Sequence, residues 1–137
     1  MSSEFSLTIK DNTGAIAALI AKNGSERLFT FGQKLAAKGT ENCVRRTGAL
    51  AESIYAVTTD HSDYAGAAGT AKALNPSGQI LPAMVPAVGE CLIGPAEEYG
   101  ADVELGGLHN PAEPYLVPAA EQMRGEAESH FAGLLET

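Results

Sequence analysis

Asp60-His61-Ser62-Asp63 is the densest group of chemically able side chains in the chain. One imidazole beside two carboxylates has the donors to hold a divalent ion, and a histidine that titrates near neutral pH can serve as a general base. That would make a small metal-dependent enzyme working through Asp60, His61 and Asp63. A solvated polar turn at the mouth of a long loop explains the same residues without chemistry. His109, in a Gly-Gly-Leu-His-Asn-Pro turn, and His130, on the last helical stretch, have no second ligand spaced to help them. Gly66-Ala67-Ala68-Gly69-Thr70-Ala71-Lys72 fails as a phosphate loop, because that lysine must directly follow the second glycine and precede Ser or Thr. Cys43 and Cys91 fit neither a metal spacing nor a Cys-x-x-Cys redox motif. Buried free thiols are one reading of them, and a disulfide between them or between subunits is the other. The expectation is therefore a protein with no catalytic residue, no metal and no cofactor.

Phe5, Leu7 and Ile9 alternate with polar residues, which predicts a short first strand. Ile16, Leu19 and Ile20 then suggest a helix from Ala15 to Lys22, ended by Asn23-Gly24. Ser25 is placed to cap a longer helix, with Leu28, Phe31, Leu35 and Cys43 on one face and Lys34, Lys38 and Arg45 elsewhere. Gly32 and Gly39 weaken that helix by about 1 kcal/mol each relative to alanine, unless close packing needs them. Thr47-Gly48 reads as a helix stop before a strand over Glu52 to Thr59, whose partner is Val88 to Gly94. Pro95 and Glu97-Glu98 predict a short helix with Tyr99 and Val103 on one face, stopped at Gly106-Gly107. Tyr115-Leu116-Val117 reads as strand-like, with Pro118 as the first residue of a last helix whose apolar face is Ala120, Met123, Ala127, Phe131 and Leu134. The class is α+β: a small, mostly antiparallel sheet packed against a long N-terminal helix and a C-terminal helix, with a long inserted loop or hairpin arm.

That insertion is residues 60 to 89, with seven Ala, four Gly, three Pro, one Lys and no sustained period. Ile80, Leu81, Met84 and Val85 make it too apolar to lie free in water. It is expected to be an extended arm that packs on neighbouring subunits; the alternative is a flap over the chain's own sheet.

The 137 residues suit a single domain, and aromatics at 6% with no Trp leave a core of Ala, Val, Leu and Ile. No apolar run is long enough to cross a bilayer, and Met1-Ser2-Ser3-Glu4 lacks the positive start of a secretion signal. A protein that is soluble and intracellular when made is expected. The net charge of -8 divides sharply, with residues 1 to 50 at +3 and residues 51 to 137 at -11. Acidic surfaces favour solubility. In a ring, the same division would set the basic end of one subunit on the acidic end of the next. Stable DNA binding is disfavoured, since phosphate contacts need Lys and Arg, and no basic residues interleave with aromatics.

Three stretches carry a likeness to known proteins. Thr47, Gly48, Leu50, Ser53 and Ile54 match Thr-Gly-x-Leu-x-x-Ser-Ile; Tyr99, Glu104 and Gly106 match Tyr-Ala-x-x-x-Glu-x-Gly. Pro114, Leu116, Pro118 and Ala119 match Pro-Phe-Leu-x-Pro-Ala at the opening of a last helix. In this order, with a helix on either side, they resemble the head-tail joining or tail-completion proteins of the neck of tailed bacteriophages. The likeness covers most of the chain outside 60 to 89. Gly100 departs from an alanine, Gly107 from a threonine and Tyr115 from a phenylalanine, and the proline usual before the first block is missing at Val44-Arg45-Arg46.

The resemblance implies a virion structural protein, assembled in the host cytoplasm, that forms a homo-oligomeric ring at the head-tail junction and attaches or stabilises the tail. Its partners would be copies of itself, a head-closure or adaptor ring, the tail terminator and the tail tube, with DNA passing through the channel without specific binding and no membrane involved. A tail-terminator or head-closure protein of the same neck is the alternative. Gly48 and Gly106 would permit tight turns, Pro114 and Pro118 would fix the start of the last helix, and Leu50, Ile54 and Leu116 would be core. Glu104 would accept hydrogen bonds from Thr47 or Ser53, tying the second block to the first, or else stand on the surface.

Overall fold

The structure, a computed structural model, describes residues 7–10, 25–45, 48–107 and 111–132, with backbone alone at 7–10, 25 and 128–132. The expected Ala15 to Lys22 helix, Phe5, Thr47, His109 and Leu134 lie outside the described residues. The first strand, β1, is Leu7–Lys10, and the first described helix, α1, is Ser25–Asn42. A short helix α2 (Ala49–Ser53) runs directly into β2 (Ile54–Val57), and α3 (Tyr64–Leu74) follows. The chain continues through β3 (Glu90–Pro95), α4 (Gly100–Leu105) and α5 (Leu116–Ala132).

The three strands form one antiparallel sheet in the order β1-β3-β2. β3 is central, with Leu7 opposite Ile93, Ile9 opposite Cys91, and Ala56 opposite Ile93 on the other side. Alternate residues of a strand point to opposite faces, and here both faces are covered, so all four residues of β2 are buried. On the first face Leu28, Phe31 and Leu35 of α1 and Leu116, Ala119 and Met123 of α5 close over Ile54, Ala56, Cys91 and Ile93. On the second, Tyr64, Ala67 and Ala68 of α3, with Ile80 and Met84, close over Tyr55, Val57 and Leu92. The α+β arrangement, with its long helices on one side of a small antiparallel sheet, follows the expected plan.

The glycines of α1 are where that plan becomes tight. A Cβ on Gly39 would lie 2.9 Å from Leu116 Cδ2 and 3.5 Å from Ile54 Cδ1, and one on Gly32 would collide with Cys91 Sγ. Helix and sheet approach more closely than any larger residue permits.

Three local expectations are corrected. Residues 60 to 89 are not an extended arm: α3 fills the first part, and residues 75–89, a strap, lie back on the chain's own sheet. Leu81 N–H donates to Ala96 O at 2.7 Å, Glu98 N–H to Gln79 O at 3.0 Å and Met84 N–H to Tyr55 Oη at 3.0 Å. Alanine has the highest helix propensity, so α3 forms without an apolar stripe wide enough to show as a period. Glu52 and Ser53 belong to α2 rather than to the strand; Gly48 starts that turn at φ 84°, a left-handed conformation that favours glycine. Tyr115-Leu116-Val117 is not a strand, because α5 already begins at Leu116.

Candidate functional site

Helix α5 begins where it does because of a side chain from α4. The carboxylate of Glu104 accepts the backbone N–H groups of Tyr115 at 3.0 Å, Leu116 at 2.7 Å and Val117 at 3.1 Å. Pro118 has no N–H to offer. A helix start leaves its first four donors without intrahelical partners, and here one carboxylate and one proline account for all of them. The positive end of the helix dipole faces the same carboxylate. Glu104 is 3% exposed, so the surface reading fails, and the expected tie to Ser53 is also corrected. Ser53 Oγ donates instead to Leu50 O at 2.8 Å and accepts Glu97 N–H at 3.3 Å. Among the described residues the second block is thus bonded to the third; Thr47, the other donor expected for Glu104, lies outside them.

The first block joins them through packing. Leu50, Ile54, Leu116, Ala119 and Tyr115 are buried in the first-face core, and Gly39 of α1 lies against both Ile54 and Leu116. Thr40 Oγ1 donates to Ala51 O at 2.9 Å, and Asn42 Nδ2 to Tyr115 O at 3.4 Å, so the end of α1 is fastened to both blocks. Gly106 ends α4 at φ 87°, while Tyr99 and Pro114 are exposed and Pro118 is half-buried.

Two departures from the resembled pattern meet in space. Tyr115 Oη donates to Gly100 O at 2.8 Å, and a methyl group on residue 100 would lie 2.9 Å from that oxygen and closer still to the Pro95 ring. The hydroxyl that Tyr115 has over phenylalanine stands beside the methyl that Gly100 lacks relative to alanine. Burial pushes the Tyr115 phenol well above its ordinary value, so the group stays a neutral donor.

The Asp60 to Asp63 segment is a turn leading into α3, and its side chains have separate partners. The His61 side chain is exposed and stacks on Phe29 with ring centroids 5.2 Å apart, while the His61 backbone N–H donates to Thr58 Oγ1 at 3.2 Å. Asp63 takes the Gln33 amide on both oxygens at 3.2 Å. Asp60 is exposed. Among the described residues no group of three His, Cys, Asp or Glu side chains is gathered as a metal site would require.

Of the residues expected to grip a neighbouring subunit, Ile80 and Met84 are half-buried against Tyr55, Val57 and Ala96 of the same chain, and Leu81 is half-buried too. Val85 alone of the four points outward, 90% exposed, with Val88 beyond it. Both cysteines are free and buried, and burial pushes the Cys43 thiol up to about 11 and the Cys91 thiol up to about 12. Thiols held that far above neutrality are poor nucleophiles.

Glu97 is the residue that sequence reasoning passed over. Placed beside Glu98 at a predicted helix start, it gave no sign of burial. Glu98 is exposed, whereas Glu97 is fully covered and neither of its carboxylate oxygens has a hydrogen-bond partner.

Among the described residues, basic and acidic side chains from the two halves of the chain come close together. α1, with Lys34 exposed and Lys38 paired to Glu41 at 3.8 Å, packs beside α5, whose Glu121 is exposed. Arg45 meets Glu52 at 3.1 Å. Among the described residues no helix is long and apolar enough to cross a membrane. No family model matches the chain, and neither a curated protein nor a solved structure does.

Proposed function

We propose that this protein is a structural component of the neck of a tailed bacteriophage, forming a ring of identical subunits at the head-tail junction and attaching or stabilising the tail. The observation that carries the reading is the use made of the motif residues. Glu104, Leu50, Ser53, Ile54, Tyr115, Leu116 and Ala119 are buried, and their hydrogen bonds are made to the chain's own backbone or their surfaces to its own core. Residues that hold three sequence blocks in one shape suit a protein whose product is a surface. Specificity would then reside in shape and charge at that surface, with Val85 and Val88 as apolar contacts and an acidic channel wall that lets DNA slide past. The enzyme alternative has less behind it, since Asp63 is engaged by Gln33 and His61 by Phe29.

The test is electron microscopy of lysates from a phage lacking this gene. Full heads beside detached tails are expected. Intact, infectious particles would overturn the reading. Tails of uncontrolled length, or heads that lose their DNA, would move the protein to the tail-terminator or head-closure position in the same neck.

A further inference from the structure

Glu97 meets the motif blocks through its backbone N–H on Ser53, while the setting of its side chain is unfavourable for a charge. It lies two residues after β3 and is fully covered; neither carboxylate oxygen has a hydrogen bond of good geometry, although the Asn75 amide is near enough to favour its charged form. An unpaired buried ion is costly enough that such a group either stays neutral or regains water. What keeps water out is the backbone at the start of the strap. A Cβ built on Gly78 would lie 2.9 Å from Glu97 Oε1 and would collide with the Asn75 amide, so the Gly78 turn sits directly on the carboxyl group. That turn is closed by Gly78 N–H to Asn75 O at 3.0 Å.

Among the described residues the charges around it are few. Lys72, on α3, acts on Glu97 but donates its Nζ to Gly78 O at 3.3 Å, so it holds the cover rather than the carboxylate. From α2, Ser53 contributes a hydroxyl that accepts Glu97 N–H, and Glu52 is turned to Arg45. Glu98 is exposed, and residues 75–89 contain no titratable side chain.

We propose that Glu97 is a proton-operated latch: neutral, it lets the strap of residues 75–89 lie closed on the second face of the sheet, and ionised, it lifts the strap. Opening hydrates the carboxylate at the cost of the bonds from Leu81 N–H to Ala96 O, Glu98 N–H to Gln79 O and Met84 N–H to Tyr55 Oη. It also uncovers Tyr55, Val57 and Leu92, an apolar surface beside Val85 and Val88. The latch is independent of any role in a phage particle.

The direction with pH follows from burial, which raises the Glu97 carboxyl above the usual range, with the Asn75 amide and the Lys72 ammonium pulling it partway back. A carboxyl raised in the closed form favours closure fully below its unfolded value and loses that contribution as pH climbs through the closed-form value. The strap is therefore closed in acid and loosens towards neutral and basic pH.

The test is backbone amide exchange on the full chain, with a parallel carbon-13 titration of the glutamate carboxyls. Corrected for the intrinsic rate, protection of the Leu81, Met84 and Glu98 amides should fall by up to about tenfold per pH unit through the Glu97 titration. Amides of β3 paired with β2 should hold. Glu97→Gln should keep the strap amides protected throughout. Strap amides that track the β3 amides at every pH would overturn the latch, as would a Glu97→Gln strap that loosens like the wild type. Should Glu97→Gln fail to fold, the wild type decides: strap opening that does not coincide with the Glu97 carboxyl titration overturns the proposal.

Discussion

Two buried glutamates, one just before α4 and one within it, face opposite sides of the fold. Glu104 serves the first face, where its carboxylate meets three backbone donors and the positive end of α5. Glu97 lies under the strap on the second face and meets none. Residue type and burial are the same, so the difference lies in what the neighbouring backbone offers. A helix start supplies donors that need an acceptor, whereas a closed turn has already used its own. The first face is consequently locked by its charge, and the second is held shut against its charge.

The two helices that flank the sheet repeat that contrast in their glycines. On α1, Gly32 and Gly39 are pressed against Cys91, Ala56, Leu116 and Ile54, while Gly66 and Gly69 of α3 have nothing within 4 Å of a built Cβ. The α1 glycines are pressed into the core, and the α3 glycines face solvent.

Glu104→Ala would break the comparison hardest. It strands three backbone donors at a buried helix start, and a loss of about 3–5 kcal/mol is expected in urea unfolding. A change below about 1 kcal/mol would show that water replaces the carboxylate and that the first face is not locked by it. Next come Gly32→Ala and Gly39→Ala, each expected to destabilise by about 1–3 kcal/mol through overpacking, although propensity alone would favour alanine. Smallest are Gly66→Ala and Gly69→Ala, each expected to stabilise by about 0.5–1 kcal/mol because the added methyl meets nothing. Thermal melts of all four glycine variants give the signs. If the α3 pair also destabilises, those two positions are not open to solvent and the contrast between the two helices fails.

Much of this fold was legible in advance, and the reasons are local. Leu28, Phe31 and Leu35 recur at helical spacing, and the strand-like stretches around Ile54 to Val57 and Cys91 to Ile93 do pair. Gly48 and Gly106 both adopt positive φ at turns where glycine was expected to be needed. Within the candidate site, the burial of Leu50, Ile54 and Leu116 followed from their types, but the partner of Glu104 did not. Its donors are eleven or more residues away, and no spacing rule connects a carboxylate on one helix to the first turn of the next.

Signals carried by a residue and its near neighbours, such as periodicity, propensity and the need for a left-handed turn, were enough for the class of the protein, its long helices and the pairing of β2 with β3. Tertiary contact decided what depends on distant partners: that α5 starts at Leu116, that the alanine-rich insertion is a helix and a strap on its own sheet, and that Glu97 lies buried while Glu98 lies in water. The physical reason is desolvation. Whether a carboxylate is solvated, bonded or stranded depends on which backbone closes over it, and that backbone comes from elsewhere in the chain.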